Sequence, residues 1–204
     1  MGLKFTQIPT NTFKNLQMNA GILLDDFTPA TGTIGNLIGA TSGGINFTAN
    51  PTFTDLGDGI DNCPRNMKEL KEIQYIEATM SGNFVTVTAG SAKTLVGAAD
   101  VDSSDTTHIV PRMNLEDDDF DDIWWVGDYS NLNGDTNGGF CAVHLMNALS
   151  TGGFQIQSTD KNKGQFAFTF TGHYSIEDQD TVPFEIYIKE GTAEPTGATG
   201  ATGA

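Results

Sequence analysis

Apolar residues in this chain mostly recur at every second position in short runs. Turns rich in Gly, Asn and Asp separate the runs, which predicts many strands rather than helices. Asn15 to Phe27 starts with alternation at Leu16, Met18 and Ala20 and closes in an apolar run, as a partly buried first strand would. Thr28 to Gly44 is a connection rich in Gly and Thr, too long for a tight turn. Alternation resumes at Ile45, Phe47 and Ala49, and Pro51 marks the edge or the end of that strand. Next come two strand-like pieces, IQYIEATMSG and NFVTVT, with Ser81 to Asn83 as a bulge or turn between them. Helical spacing is clearest from Thr88 to Ala99, with Ala92, Leu95, Val96 and Ala99 on one side, Thr88 or Ser91 as cap, and Gly97 weakening the end. HIVPR reads as a short strand stopped by Pro111.

The stretch Met113 to Gly139 organises the rest. Leu115 and Phe120 are apolar anchors on either side of Glu116, Asp117, Asp118, Asp119, Asp121 and Asp122, and a one-turn helix capped by Asn114 would place the early carboxylates at a helix N-terminus. IWWVGDY then alternates, so Trp124 and Trp125 face opposite sides of a strand, with one ring expected in the core and the other at an interface. After the turn NLNGDTNGG the partner strand has Phe140, Ala142, His144 and Met146 on one face. Cys141, Val143, Leu145 and Asn147 occupy the other, a pattern that predicts burial on both. A further hairpin ends in a strand with a core stripe of Phe166, Phe168 and Phe170. The last strand, FEIYIKEG, is expected to turn Phe184, Ile186 and Ile188 inward and Glu185, Tyr187 and Lys189 outward.

This organisation divides the chain into an arm over 1–14, a β-domain over 15–191 and a Gly-Ala-Thr tail over 192–204, read as disordered, with Gly197, Gly200 and Gly203 at period three. A length of 204 residues suits one core that buries about 70 % of the unfolded surface. The Gly count of 24 reinforces the turn-rich, β-rich reading.

Charge narrows the function. With 26 acids against 10 bases and a formal charge of -16, the chain lacks the basic surface that holds phosphates, so nucleic-acid binding is not expected. There is no apolar run long enough to cross a bilayer and no signal-peptide core at the N-terminus, which places synthesis in the cytoplasm with no membrane partner. Cys63 and Cys141, in unlike contexts, read as free thiols.

Candidate chemistry is sparse. His108, His144 and His173 have no partner at a catalytic spacing, Ser130, Ser150 and Ser175 have no nearby base, and no phosphate-binding, zinc-protease or nucleophile-elbow motif is present. Around Asp55, Asp58, Asp61 and Asn62 the spacing only partly resembles a calcium loop, and Asx-stabilised turns account for it better. The carboxylates of 116–122 are contiguous and alternate in direction, which favours a solvated acidic face over a metal site. No catalytic residue, cofactor or metal is expected. A calcium-dependent β-sandwich binding or adhesion module stands as the alternative, on the Asp-rich loops and the collagen-like tail.

Larger segments of this sequence point further. NCPRNMKEL, AKTLVGAAD, IVPRMNLEDDDFDDIWWVGDYS and GGFCAVHLMNALSTGGFQIQSTDKNKGQFAFTFTGHYSIEDQDTVPFEIYI resemble the major tail tube protein of long-tailed, non-contractile bacteriophages, over roughly Asn15 to Gly191. The resemblance implies a β-sandwich or barrel with one packed helix, Thr88 to Ala99, and long loops. It further implies homohexameric rings stacked into a hollow tube that conducts DNA without binding it, and no enzymatic activity. Its expected partners are other copies of the chain, a tape measure protein and tail terminator or initiator proteins, in the virion after assembly in the host cytoplasm. Loop 28–44 and the N-terminal arm would reach neighbouring subunits. The expected assembly or packing residues are Leu95, Leu115, Phe120, Trp124, Trp125, Phe166, Phe168 and Phe170. Glu116, Asp117, Asp118, Asp119, Asp121 and Asp122 would face the lumen or an interface.

Overall fold

The computed structural model describes residues 15–129 and 138–191, together with Pro9 and Thr12. Most of the arm, the Gly-Ala-Thr tail, Ser130 and most of the NLNGDTNGG turn lie outside the described residues. The strands are β1 Ile22–Leu24, β2 Phe27–Thr28, β3 Thr33–Ile34, β4 Thr41–Asp55, β5 Lys71–Phe84, β6 Ala99–Val101, β7 Ile109–Pro111, β8 Asp121–Asp128, β9 Phe140–Ser150, β10 Phe166–Gly172 and β11 Phe184–Lys189. Helix α1, Ala89–Val96, is the one α-helix among the described residues.

The main sheet is antiparallel and runs β1-β8-β9-β10-β5-β4, with β11 also paired to β9. It bends over on itself as a β-sandwich, so that Phe47 of β4 packs on Phe184 of β11 with ring centroids 5.5 Å apart. Inside the fold lies the larger apolar cluster, which includes Leu23, Met80, Phe84, Ile123, Leu145, Phe168 and Phe170, with Leu95 of α1 packed into it. A second cluster forms on the opposite face of β8 and β9 from Leu24, Phe27, Trp124, Val126, Phe140 and Ala142. The double-sided apolar pattern of β9 therefore serves two separate cores.

Helix α1 forms where its spacing predicted. Thr88 caps it, with the Ser91 N–H donating to the Thr88 hydroxyl at 3.2 Å and the Thr88 N–H donating to the Ser91 hydroxyl at 2.8 Å. Gly97 ends it at φ 91°, so Ala99 belongs to β6 and not to the helix. The buried Ser150 hydroxyl donates to the Leu95 carbonyl at 2.8 Å and fastens the last turn to β9.

Several expectations change. Asn15 to Phe27 is not one strand: Gly21 takes φ 71° and the side chains of Gln17 and Asn19 bond locally, so only Ile22–Leu24 and Phe27–Thr28 are extended. The connection 28–44 contains the β2–β3 hairpin and the start of β4. β4 continues through Pro51 because it is an edge strand, where the missing N–H costs no ladder bond. β5 is a single strand through Ser81 to Asn83. The irregularity lies opposite, between Thr41 and Ile45, where Gly43 and Gly44 have φ near 83° and 82°.

On β11 only Phe184 turns into the core: Ile186 and Ile188 are 52 % and 64 % exposed, and Tyr187 packs on the second cluster. The 3-10 turn Asp117–Asp119 is capped by Glu116 and not by Asn114.

Candidate assembly surface

The β4–β5 ribbon extends past the body of the sheet. β10 pairs with β5 only from Phe84 to Thr79, so Lys71–Ala78 has β4 as its sheet partner. About seven steps of roughly 3.3 Å give an arm about 23 Å long. At its root Tyr174 stands in for the missing neighbour strand: the Ile76 N–H donates to its hydroxyl at 2.9 Å. At its tip the Asp55 carboxylate accepts the N–H groups of Gly57 and Asn66, both at 3.0 Å, which closes the Asx turn. These hydrogen bonds hold Asp55 below the ordinary aspartate range, the Asn66 bond contributing most.

One face of the arm is apolar and open. Strand register sets Phe47, Ala49, Pro51 and Phe53 beside Met80, Ala78, Ile76 and Ile73. Met80 and Ala78 are fully buried, whereas Phe53 and Ile73 are 50 % and 56 % exposed. The core row thus runs out into solvent, flanked at the tip by exposed Leu56 and Ile60. Ile186 and Ile188 add exposed apolar side chains on β11, whose outer edge has no strand partner among the described residues.

The acidic segment is held by one base. Arg112, only 15 % exposed, has its Nη2 2.7 Å from Asp119, its Nη1 3.2 Å from Glu116 and its Nε 2.8 Å from Asp100. Asp119 is fully enclosed and also accepts the Glu116 N–H at 2.9 Å. The Nε N–H does not point along the line to Asp100, so that contact is an ion pair without a hydrogen bond. Desolvation raises the Asp121 carboxyl above the ordinary range, against the pull of Lys93 and the Thr94 hydroxyl of α1. The residue lies at the exposed surface and is only partly desolvated, so the rise does not mark a functional acid. Asp122 accepts the Asn147 N–H at 3.1 Å, while Asp117 and Asp118 are exposed.

The other expected residues separate by location. Leu95, Phe168 and Phe170 are buried in the larger cluster, Phe166 and Trp125 are half-buried against it, and Trp124 is buried in the second. The Trp125 indole N–H donates to the Ala20 carbonyl at 3.0 Å, and the Trp124 ring stacks on His144, so both indoles have partners within the chain. Leu115 is exposed, and Phe120 packs edge-on to His173 at 5.4 Å. Sequence reasoning missed Phe53, Ile73, Ile186 and Ile188. Arg112 carried a visible signal as a single base just ahead of six carboxylates.

Cys63 and Cys141 are both free. Among the described residues no group of three or more His, Cys, Asp or Glu is arranged to hold a metal ion, and no helix is long and apolar enough to cross a membrane.

Among solved structures the chain is similar to the virion of a native gene transfer agent particle, at 9 % identity over 76 % of this chain and 92 % of that one, with a TM-score of 0.41. It is also similar to the tail of an empty gene transfer agent particle with C6 symmetry, at 11 % identity over 76 % and 92 % of the two chains, with a TM-score of 0.38. No family model and no curated protein matches. Likeness at this level assigns no role to the chain.

Proposed function

We propose that the chain is the repeating structural subunit of a phage tail tube, closing with copies of itself into homohexameric rings that stack into a DNA-conducting channel. The observation that carries this reading is the apolar row that leaves the core along the β4–β5 arm and ends uncovered at Phe53 and Ile73. A row of this kind marks an interaction surface. Covering the exposed half of each such side chain contributes about 1 kcal/mol, and the row, the arm and the half-covered β11 are all surfaces that neighbouring copies could close. The segment resemblance over Asn15 to Gly191 supports the choice of assembly. A net charge of -16 suits a conduit, because carboxylates repel phosphates that basic residues would retain. Glu116, Asp117, Asp118, Asp121 and Asp122 are the candidates for the lumen or an inter-subunit face. Asp119 is enclosed by Arg112 and is assigned to holding the segment instead. Loop 28–44 and the N-terminal arm are assigned to contacts with neighbouring rings, and the tape measure and terminator proteins are the remaining partners. The role is structural and places the chain in the virion.

Electron microscopy and sedimentation of the purified protein at high concentration test the proposal. Rings or tubes are expected for the natural sequence. The double variant Phe53→Ser, Ile73→Ser should stay monomeric with an unchanged melting curve. A natural chain that stays monomeric even with tail initiators present would overturn the assignment.

A further inference from the structure

We propose that His144 is a proton-operated latch that ties β8 to β11 across β9. Its imidazole is 12 % exposed and lies flat on the Trp124 indole, with centroids 4.0 Å apart and planes 6° from parallel. Nε2 is 3.2 Å from Asp122 Oδ2 on β8, and Nδ1 is 3.9 Å from Glu185 Oε2 on β11. Strand register puts all of these side chains on one face, since Trp124 and Glu185 both sit opposite His144.

The acids are themselves held. Asp122 Oδ1 accepts the Asn147 N–H, at a bulge where Asn147 takes φ 47°, and Glu185 Oε2 accepts the Tyr187 hydroxyl. Asp121 belongs to the opposite face, and on β9 the same-face neighbours Ala142 and Met146 do not titrate. Lys189, four residues along β11, is directed over the Phe140 ring at 5.9 Å. The charges facing the ring from β8 and β11 are therefore both negative.

A neutral imidazole donates through one nitrogen only. As the side chains stand, the Nε2 N–H direction misses Asp122 despite the short separation, leaving that buried nitrogen without a hydrogen bond. Proton uptake puts an N–H on each nitrogen and a positive charge between the two carboxylates, which then draw in to hydrogen-bond the ring, and sets a cation against the indole face. Histidine is the side chain whose ordinary titration spans about pH 5 to 8. Protonation of the ring closes the link and fastens β11, which pairs with β9 alone in the main sheet. The latch operates within a single subunit and does not rest on the assembly proposal.

The test uses the full chain with Trp125→Phe, which leaves Trp124 as the one indole. Its fluorescence should fall between pH 8 and pH 5, because imidazolium in contact quenches indole. The hydrogen-exchange protection factors of Glu185 to Ile188, corrected for intrinsic rates, should rise several-fold over the same range. His144→Gln should abolish both responses. The double variant Asp122→Asn, Glu185→Gln should keep the quenching and lose the protection gain, which separates the stack from the strand link and guards against a misfolded His144→Gln. Fluorescence unchanged between pH 8 and pH 5, or a protection gain that survives in either variant, would overturn the latch.

Discussion

Replacing Arg112 with Met keeps the alkyl stem and removes the guanidinium that serves Asp100, Glu116 and Asp119. The three acids should not contribute equally. Asp100 and Glu116 are 57 % and 52 % exposed, and such pairs are worth about 0–1 kcal/mol each. Asp119 has no solvent access, and stripping the partner from a buried charge costs about 3–5 kcal/mol. The Glu116 N–H still serves Asp119 after the change, which puts the total for Arg112→Met near the lower end, about 3 kcal/mol. With a urea slope of about 1–3 kcal/mol/M, the unfolding midpoint should fall by about 1–3 M. Asp100→Asn and Glu116→Gln should each cost less than about 1 kcal/mol. A cycle of Arg112→Met with Asp119→Asn should return a coupling of about 2 kcal/mol that persists at high salt, because an enclosed pair is little screened. A cost for Asp100→Asn equal to that for Asp119→Asn, or a coupling that added salt removes, would refute the unequal sharing of Arg112.

Two further expectations follow from backbone geometry and from titration. Gly21→Ala adds a Cβ at 2.3 Å from Trp125 Nε1 on a residue at φ +71°, so it should cost about 2–5 kcal/mol and shift the Trp125 emission; an unchanged midpoint in urea would contradict the close packing. Asp25 is held below its ordinary value of 3.8 chiefly by the Asn36 side-chain amide and also by the Asn36 N–H. A depressed carboxyl lends stability above the ordinary value and loses it as pH falls through the lower folded one. The Asn36 amide signal should therefore move with a midpoint below 3.8 in an NMR titration, and a midpoint at or above 3.8 would refute the contact.

Most of the fold was legible in the sequence because period-two and period-3.6 patterns survive wherever one face stays against the core. β8, β9, β10 and α1 follow this rule, and the Thr88 cap and Gly97 stop are local signals that tertiary contacts did not override. Strand β11 was misread because alternation separates two faces without saying which is covered. Phe184 meets Phe47, but Ile186 and Ile188 lie beyond that contact and stay exposed. Ser81 to Asn83 misled for a related reason: small residues favour an irregularity, and the bulge formed on the partner strand at Gly43 and Gly44. The open face of Phe53 and Ile73 was hidden because an apolar strand position reads the same in a core and on a projecting arm. The Arg112 cluster draws on Asp100 across the β6–β7 hairpin, a pairing set by register and not by spacing along the chain.

The pairing of β1 with β8 also has a consequence in time. Ile22 meets Val126, and 126 less 22 places the partners 104 positions apart. At a synthesis rate of about 5–20 residues per second, Leu23 and Leu24 leave the ribosome roughly 5–20 s before the strand that will cover them. The edge of β1 that will meet β8 must then wait, its other edge already bonded locally through the Ile38 N–H to the Leu23 carbonyl at 3.0 Å, while β4 and β5, which are adjacent in the chain, can already zip together. β9, β10 and β11 emerge later still, so every partial chain passes through a state in which strand edges wait for partners not yet made, and a cell making many copies at once holds many such edges that resemble one another.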